Sequence, residues 1–352
     1  MAGLRPCTTP GVTPRVRAVA PALALAVLAV AALALATLAP AASPAKAVPP
    51  VLPIPPVAPV APVETTPDIR IAASIFPIAA IAREIGGARV AVRTIVPSGS
   101  DPHNFEVTPA MARAVDDADL VFFIGGHFDG WAMGHRQRSR PSSYIEFQEV
   151  LKDSLIKTVQ EVNPHLWLDP LLAKSMGQAI KARLAQTDPA NRAYYEERAR
   201  SFAVRIDSLD AAVRSRLAEC GFRDFVSFHP AWTYLARRYG LEEHGSIELT
   251  PEQEPSAKWI AGILKMMQRE GVKYIVAEEF SNRALAETLA RDAQAQVIVL
   301  DPLGAEDRPG RSSYFELVNY NLARIEEAAS RNSGASHPSR GAPAPGPKGT
   351  KQ

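Results

Sequence analysis

Short apolar runs alternate with amphipathic stretches through most of this chain, and that alternation limits the folds open to it. The predicted elements of the first half are strands Ile69–Ser74, Val90–Ile95 and Leu120–Ile124 and helices Pro77–Ile85 and Pro109–Ala118. Those of the second half are strands Phe225–Phe228, Ser246–Leu249, Tyr274–Ala277 and Val297–Leu300 and helices Trp232–Tyr239, Ser256–Arg269 and Arg283–Ala293. Strand–helix alternation of this kind favours parallel sheets with helices on their faces.

One long helical stretch, residues 188–219, interrupts the alternation. Asp188 and Pro189 suit a helix start, with an N-cap acid followed by proline. Apolar residues then recur at intervals of three to five, at Tyr194, Ala199, Phe202, Ile206, Leu209, Val213 and Leu217. A helix of this length would span about 48 Å at about 1.5 Å per residue, more than a crossover connection needs. The sequence therefore predicts an α/β fold of two lobes, residues 68–187 and 220–329, joined by one long rigid helix.

The two ends of the chain are not expected to belong to the fold. Basic residues precede the apolar run Ala22–Ala39, and Ala45-Lys46-Ala47 follows it, which predicts a signal peptide over residues 1–47 and a periplasmic protein. The run is also long enough to stay as a membrane anchor, which is the alternative. Residues 48–67 are a Pro-rich linker, and residues 330–352 have the composition of a disordered tail.

Charge and cysteine content exclude several classes of protein. The 39 basic and 37 acidic residues nearly cancel, and no nucleic-acid-binding motif is present, so a nucleic-acid partner is not expected. The two cysteines, Cys7 and Cys220, form no C-x-x-C pair, which argues against a cysteine zinc site or a redox site.

Three of the seven histidines share a loop context. His103 lies in PSGSDPHNFEVTP after a predicted strand, His165 lies in the Pro-bounded loop NPHLWLDP, and His229 lies in FVSFHPAW at a strand end. Ligands of open α/β sheets bind beyond the carboxyl ends of the strands, so these imidazoles are expected to converge there. The other four histidines, His127, His135, His244 and His337, have surface or tail contexts.

A carboxylate is expected to join the three histidines. Asp301 follows the strand in VIVLDPLG, and Glu279 follows Tyr274–Ala277 as the competing fourth donor. Three imidazoles and one carboxylate suit Zn²⁺ best, with Mn²⁺ as an alternative. Because metal binds the neutral imidazole, affinity is expected to fall as pH drops through about 6.5.

The motifs around these residues resemble one family of transport receptors. PSGSDPHNFEVTP, NPHLWLDP, FHPAWTYLARRYGL, EPSAKWIAGIL and AEEFSNRALAETLA leading into LDPLG occur in the order found in zinc- and manganese-binding receptors of ABC importers, the cluster A-I or TroA/ZnuA-like family. The resemblance covers about residues 68–328 and implies a metal site in an interlobe cleft, with His103, His165, His229 and Asp301 as ligands. The long His- and acid-rich loop of many zinc members has no counterpart here.

The resemblance implies a monomeric extracytoplasmic receptor that delivers metal to a membrane permease. A closed four-coordinate site leaves no open position for substrate, which favours capture over catalysis. The alternatives are a metal-dependent adhesin, a periplasmic zinc store or, from a different class, a secreted zinc hydrolase.

Overall fold

The computed structural model describes residues 67–132, 134, 143–157, 162–248 and 254–334. The predicted signal peptide, nearly all of the Pro-rich linker and the tail beyond residue 334 lie outside this range, as do Cys7, His135 and His337. Within the described residues, no helix is both long and apolar enough to cross a bilayer.

The first lobe is built on a four-stranded parallel sheet in the order β2-β1-β3-β4. Its strands are β1 (Ile69–Ala73), β2 (Val90–Thr94), β3 (Leu120–Phe123) and β4 (Tyr144–Glu146). Its helices are α1 (Phe76–Gly86), α2 (Pro109–Asp116), the short α3 (Phe147–Val150) and α4 (Pro170–Thr187). All four residues of β3 are buried, as expected for a central strand covered on both faces.

The second lobe repeats this architecture in a four-stranded parallel sheet of order β6-β5-β7-β8. Its strands are β5 (Asp224–Ser227), β6 (Glu242–Ser246), β7 (Tyr274–Glu278) and β8 (Gln296–Leu300). Helix α5 (Arg192–Cys220) leads into the lobe, which then contains α6 (Thr233–Tyr239), α7 (Ala257–Glu270), α8 (Arg283–Ala293) and α9 (Tyr314–Gly334). The predicted two-lobed α/β fold with parallel sheets is confirmed.

The strand predicted at Ser246–Leu249 begins earlier than expected, since the paired segment is Glu242–Ser246; Leu249 lies outside the described residues. The paired segment is EEHGS, which has little apolar character and gives no strand signal in the sequence. It forms because β6 is an edge strand whose middle is only partly buried, so polar side chains are tolerated there. Ser227 and Ser246 hydroxyls hydrogen-bond across the pair at 2.8 Å.

The long helix α5 runs for 29 residues and is preceded by a single 3-10 turn, Pro189–Asn191. Its buried stripe differs from the predicted one at the first position only, where Tyr195 is buried instead of Tyr194. Tyr195 donates its hydroxyl hydrogen to Asp188 Oδ2 at 2.8 Å, which ties the start of the helix to the preceding turn. Helix α5 packs on α1 and α4 of the first lobe and on α9.

One hydrophobic cluster spans both lobes, and buried hydrogen bonds also tie the lobes together. Side chains from both sheets belong to the same apolar cluster, which includes Ile71 in β1 and Phe225 in β5. Trp167 Nε1 donates to Pro302 O at 2.7 Å, and Tyr314 Oη donates to Trp167 O at 2.8 Å. A continuous core resists wide opening because separating the lobes would expose apolar surface.

Candidate metal centre

Three loops bring His103, His165 and His229 together. Each offers one ring nitrogen, and these three nitrogens all lie within 4.8 Å of one another. The ring centroids are 4.9 Å to 5.3 Å apart. Two of the loops belong to the first lobe and one to the second, so the group lies where the lobes meet.

His103 is positioned by a turn after β2. Its backbone N–H donates to Asp101 Oδ1 at 2.9 Å, a local bond that turns the chain without regular structure. Its ring meets the edge of Phe128 at a centroid distance of 5.0 Å. The backbone bond stabilises the turn that carries His103, and Phe128 packs against its ring.

His165 is buried and held by a neighbouring amide. Its Nδ1 lies 2.9 Å from Asn163 Oδ1, while its Nε2 lies 3.3 Å from His103 Nε2. The ring also packs against Trp167 at a centroid distance of 5.3 Å. Nδ1 is thus hydrogen-bonded to Asn163, and Nε2 faces His103.

His229 follows β5 and is the contribution of the second lobe. It is 7% exposed, and neither of its ring nitrogens has a hydrogen-bond partner within the described residues. Burying an imidazole without hydrogen-bond partners costs free energy unless a bound ligand interacts with its nitrogens. Its ring lies 4.9 Å from that of His103 and 5.1 Å from that of His165, which points the missing partner toward the centre of the group.

Burial keeps all three imidazoles neutral at ordinary pH. Desolvation lowers the pKa of His103 to about 4, with Asp101 acting weakly in the opposite direction. Desolvation and the neighbouring His103 lower the pKa of His229 to about 3. Desolvation, then His229 and His103, lower the pKa of His165 well below its usual value. In contrast to the expectation from the sequence, the lowered pKa values predict that affinity does not fall near pH 6.5, because the free imidazoles are neutral there.

Asp301 is buried and is held by partners other than the three histidines. Its Oδ1 accepts from the backbone N–H groups of Leu303 and Gly304, both at 2.9 Å. Its Oδ2 accepts from Arg311 Nη1 at 2.9 Å and lies 3.4 Å from Arg308 Nη1. No carboxylate among the described residues joins the histidine group at metal-binding spacing.

Glu279 lies in the same ionic cluster as Asp301. It is paired with Arg308 and with Arg311, and its side chain is 30% exposed. Arg308 also donates Nε–H to Ser98 Oγ of the first lobe at 3.1 Å, so the cluster bridges the cleft. Both candidate fourth donors are thus neutralised by the same two arginines.

The remaining described histidines and cysteine have other surroundings. His127 is exposed, and His244 Nε2 lies 2.8 Å from Asp224 Oδ1. Cys220 is a free thiol, and partial burial raises its pKa. None of these three residues belongs to the group of candidate ligands.

Sequence reasoning missed several residues around the centre. Phe128 and Trp167 form its aromatic wall, with ring centroids 5.4 Å apart. Asn163 and the arginine pair Arg308 and Arg311 were also not singled out. The signal for Asn163 was present, since a polar residue two positions before a candidate ligand can reach that ligand's ring across a turn. Nothing local in the sequence indicates that two surface-type arginines would fold back onto Asp301.

Comparisons with known proteins are consistent across sequence and structure. Residues 71–328 match the family model described as the zinc-uptake complex component A, periplasmic. The chain is 26% identical to the high-affinity zinc uptake system protein ZnuA of Bacillus subtilis, over 74% of this chain and 87% of that protein. It is 23% identical to the zinc-binding lipoprotein AdcA of Streptococcus pneumoniae, over 77% of this chain but only 58% of the relative. A ZnuA crystal structure superposes with a TM-score of 0.66 at 26% identity, covering 74% of this chain and 99% of that one.

Proposed function

Because this chain belongs to the family of periplasmic zinc-uptake components, we propose that it captures Zn²⁺ outside the cytoplasm and delivers it to the membrane permease of an ABC importer. The names of its relatives, a zinc uptake protein and a zinc-binding lipoprotein, support zinc as the cargo. Mn²⁺ is the alternative cargo. The chain is proposed to act as a monomer, exported by the signal peptide at residues 1–47.

The single observation that carries the proposal is the spacing of the histidine nitrogens. Two nitrogens bound to zinc at about 2.0–2.1 Å in a tetrahedron lie about 3.3–3.4 Å apart. His103 Nε2 and His165 Nε2 are 3.3 Å apart, and His229 presents two unpartnered nitrogens beside them. All three ligand nitrogens lie within 4.8 Å of one another, and three neutral imidazoles match the ligand preference of zinc.

We propose Asp301 as the fourth ligand, with Glu279 as the alternative. Asp301 is 3% exposed, and its Oδ1 is anchored by two backbone N–H groups, so Oδ2 has a fixed direction. Glu279 lies at the more exposed side of the ionic cluster. For either carboxylate to bind the ion, Arg311 would have to exchange its partner, since it pairs with both.

Capture fits this arrangement better than catalysis or adhesion. Three histidines and a carboxylate would close the coordination sphere, whereas a hydrolytic zinc site keeps one position for water. The adhesin alternative is not favoured, because the family model and both relatives are described by zinc uptake or zinc binding.

Metal identity is tested by elemental analysis of the protein purified without added metal, followed by competitive titration with Zn²⁺ and Mn²⁺. The proposal predicts one zinc per chain and a preference for zinc of at least about ten-fold, from the third imidazole. Equal or tighter binding of Mn²⁺ would reassign the cargo.

The fourth ligand is tested by comparing Asp301→Ala with Glu279→Ala. Loss of a direct ligand should lower zinc affinity by about ten-fold or more, and loss of a supporting residue by less. Asp301→Ala is expected to show the larger loss. A larger loss in Glu279→Ala would exchange the two assignments.

A further inference from the structure

The side-chain amide of Asn163 lies between two of the three histidine loops. Its Oδ1 accepts from the backbone N–H of His165 at 3.0 Å and faces His165 Nδ1 at 2.9 Å. Its Nδ2 donates to Pro230 O at 2.7 Å, on the residue that follows His229. Asn163 is 2% exposed, so these bonds are made away from competing water. One side chain therefore contacts a histidine loop in each lobe.

The partners of the amide determine which way it faces. The backbone N–H of His165 can only donate, so it must meet the amide oxygen. The carbonyl of Pro230 can only accept, so it must meet the amide nitrogen. Both constraints agree, and reversing the amide would break two bonds at once.

This orientation fixes the tautomer of His165. Because Asn163 Oδ1 is an acceptor, His165 Nδ1 must carry the hydrogen, and Nε2 must carry the lone pair. Nε2 is the nitrogen that lies 3.3 Å from His103 Nε2, on the side of the proposed ion. The imidazole is thus presented in its metal-binding form before any ion arrives.

The backbone of Asn163 is fixed as firmly as its side chain. Its N–H donates to Ile156 O at 2.8 Å, and its carbonyl accepts from Tyr234 Oη of the second lobe at 3.0 Å. Asn163 is therefore hydrogen-bonded to Ile156 and His165 of the first lobe and to Pro230 and Tyr234 of the second.

We propose that Asn163 is the positioning residue of this site. It selects the metal-binding tautomer of His165 and, through Pro230, sets the loop of His229 against it, so the ligands of the two lobes are aligned together. The inference rests on the proposed function for its zinc readout, while its tautomer readout is independent of zinc. Groups that orient a metal-binding histidine through its second nitrogen typically change metal affinity 10–100-fold when lost.

Two substitutions separate the two roles. Asn163→Ala removes both contacts. Asn163→Asp keeps an acceptor for His165 Nδ1 but places a second acceptor opposite the carbonyl of Pro230. Tyr314→Phe is the matched control, because it removes a lobe-to-lobe hydrogen bond of similar length, 2.8 Å to Trp167 O, without touching a histidine.

The first readout is the ¹⁵N spectrum of the imidazoles in the metal-free protein. In the wild type, in Asn163→Asp and in Tyr314→Phe, His165 is expected as a single tautomer protonated at Nδ1. In Asn163→Ala a mixture of tautomers is expected. A single Nδ1-protonated His165 in Asn163→Ala would overturn the proposal.

The second readout is zinc affinity by competition with a chelator. Asn163→Ala should bind zinc about 10–100-fold more weakly. Asn163→Asp should lose less affinity than Asn163→Ala, since it keeps an acceptor for His165 Nδ1 and loses only the donations to Pro230 O and Thr233 Oγ1. Tyr314→Phe should stay within about three-fold of the wild type although its Tm falls. An equal loss in Tyr314→Phe would show that Asn163 acts only through general stability, and unchanged affinity in Asn163→Asp would remove the role of Pro230.

The two proposals fail in different ways. A wild-type protein that binds no zinc would refute the proposed function but leave the tautomer comparison intact. A wild type that binds zinc with no response to either Asn163 substitution would refute the positioning role alone. Should Asn163→Ala fail to fold, Asn163→Asp decides the question through its predicted retention of the tautomer with loss of affinity.

Discussion

Zinc binding should be almost independent of pH between about 7 and 5, because the histidines are neutral throughout that range. Burial lowers the pKa of His103 to about 4 and that of His229 to about 3. The pKa of His165 is lowered well below its usual value. A group that is already neutral has no proton to lose when the ion binds, so no proton competes for the site.

The structure gives the size of the expected effect. At pH 5 an imidazole with an ordinary pKa of 6.5 would weaken metal binding about 30-fold, and three of them by about 3 × 10⁴-fold. An imidazole with a pKa of about 4, as for His103, would weaken it by only about 10% at that pH. Zinc affinity is therefore expected to change less than about two-fold between pH 7 and pH 5 if the histidines dominate.

Proton release on binding is the most direct assay. Calorimetric titration at pH 6 in buffers of different ionisation enthalpy counts the protons that zinc displaces. Three histidines with ordinary pKa values would release about two protons at this pH, whereas the buried group should release close to none. Release of two protons would refute the argument that burial controls this site.

The same pKa shifts determine how pH affects the stability of the metal-free protein. Between about pH 6.5 and pH 4 the unfolded chain binds protons at these histidines and the folded chain does not. The free energy of unfolding should therefore fall as pH decreases through this window. Thermal melts of the metal-free protein at pH 7, 6 and 5 check the direction, and a rising Tm would contradict it.

Three further substitutions test the site and the fold, and two of them have a matched control substitution. His229→Ala should lower zinc affinity at least about ten-fold, while the exposed His127→Ala should not change it; titration decides. Burial raises the pKa of Glu278 to about 7. The free energy of unfolding therefore falls as pH rises through that value, because the buried carboxyl group must then become charged. Glu278→Gln should therefore raise Tm more at pH 8 than at pH 5, and an equal change at both would count against it. Gly177→Ala would place its Cβ 2.9 Å from a ring carbon of the long helix and should cost about 1–3 kcal/mol in a denaturant melt. Gly262→Ala, whose Cβ would have no atom of the described residues within 4 Å, should be neutral or stabilising, and equal losses would refute the packing argument.

Local pattern was sufficient to predict the fold class and the convergence of the histidines. Strand and helix periodicities each show within about ten residues of sequence, so their alternation predicts parallel sheets in two lobes. The convergence of His103 and His229 followed because each comes after a strand of its own lobe's sheet, and ligands of α/β sheets bind beyond the carboxyl ends of the strands. The strand Glu242–Ser246 was not predicted, because an edge strand needs no apolar side chains at its exposed positions.

The sequence by itself determined the order of elements, the ligand types and the loops that carry them. Tertiary structure alone decided the pKa values of the histidines, the pairing of Asp301 with Arg308 and Arg311, and the amide of Asn163 that meets Pro230. Desolvation of a histidine depends on what packs around its ring, and the ring of His103 packs against Phe128. The bond from Asn163 to Pro230 joins residues 67 positions apart. No periodicity encodes such a contact, because it exists only once the two lobes have packed together.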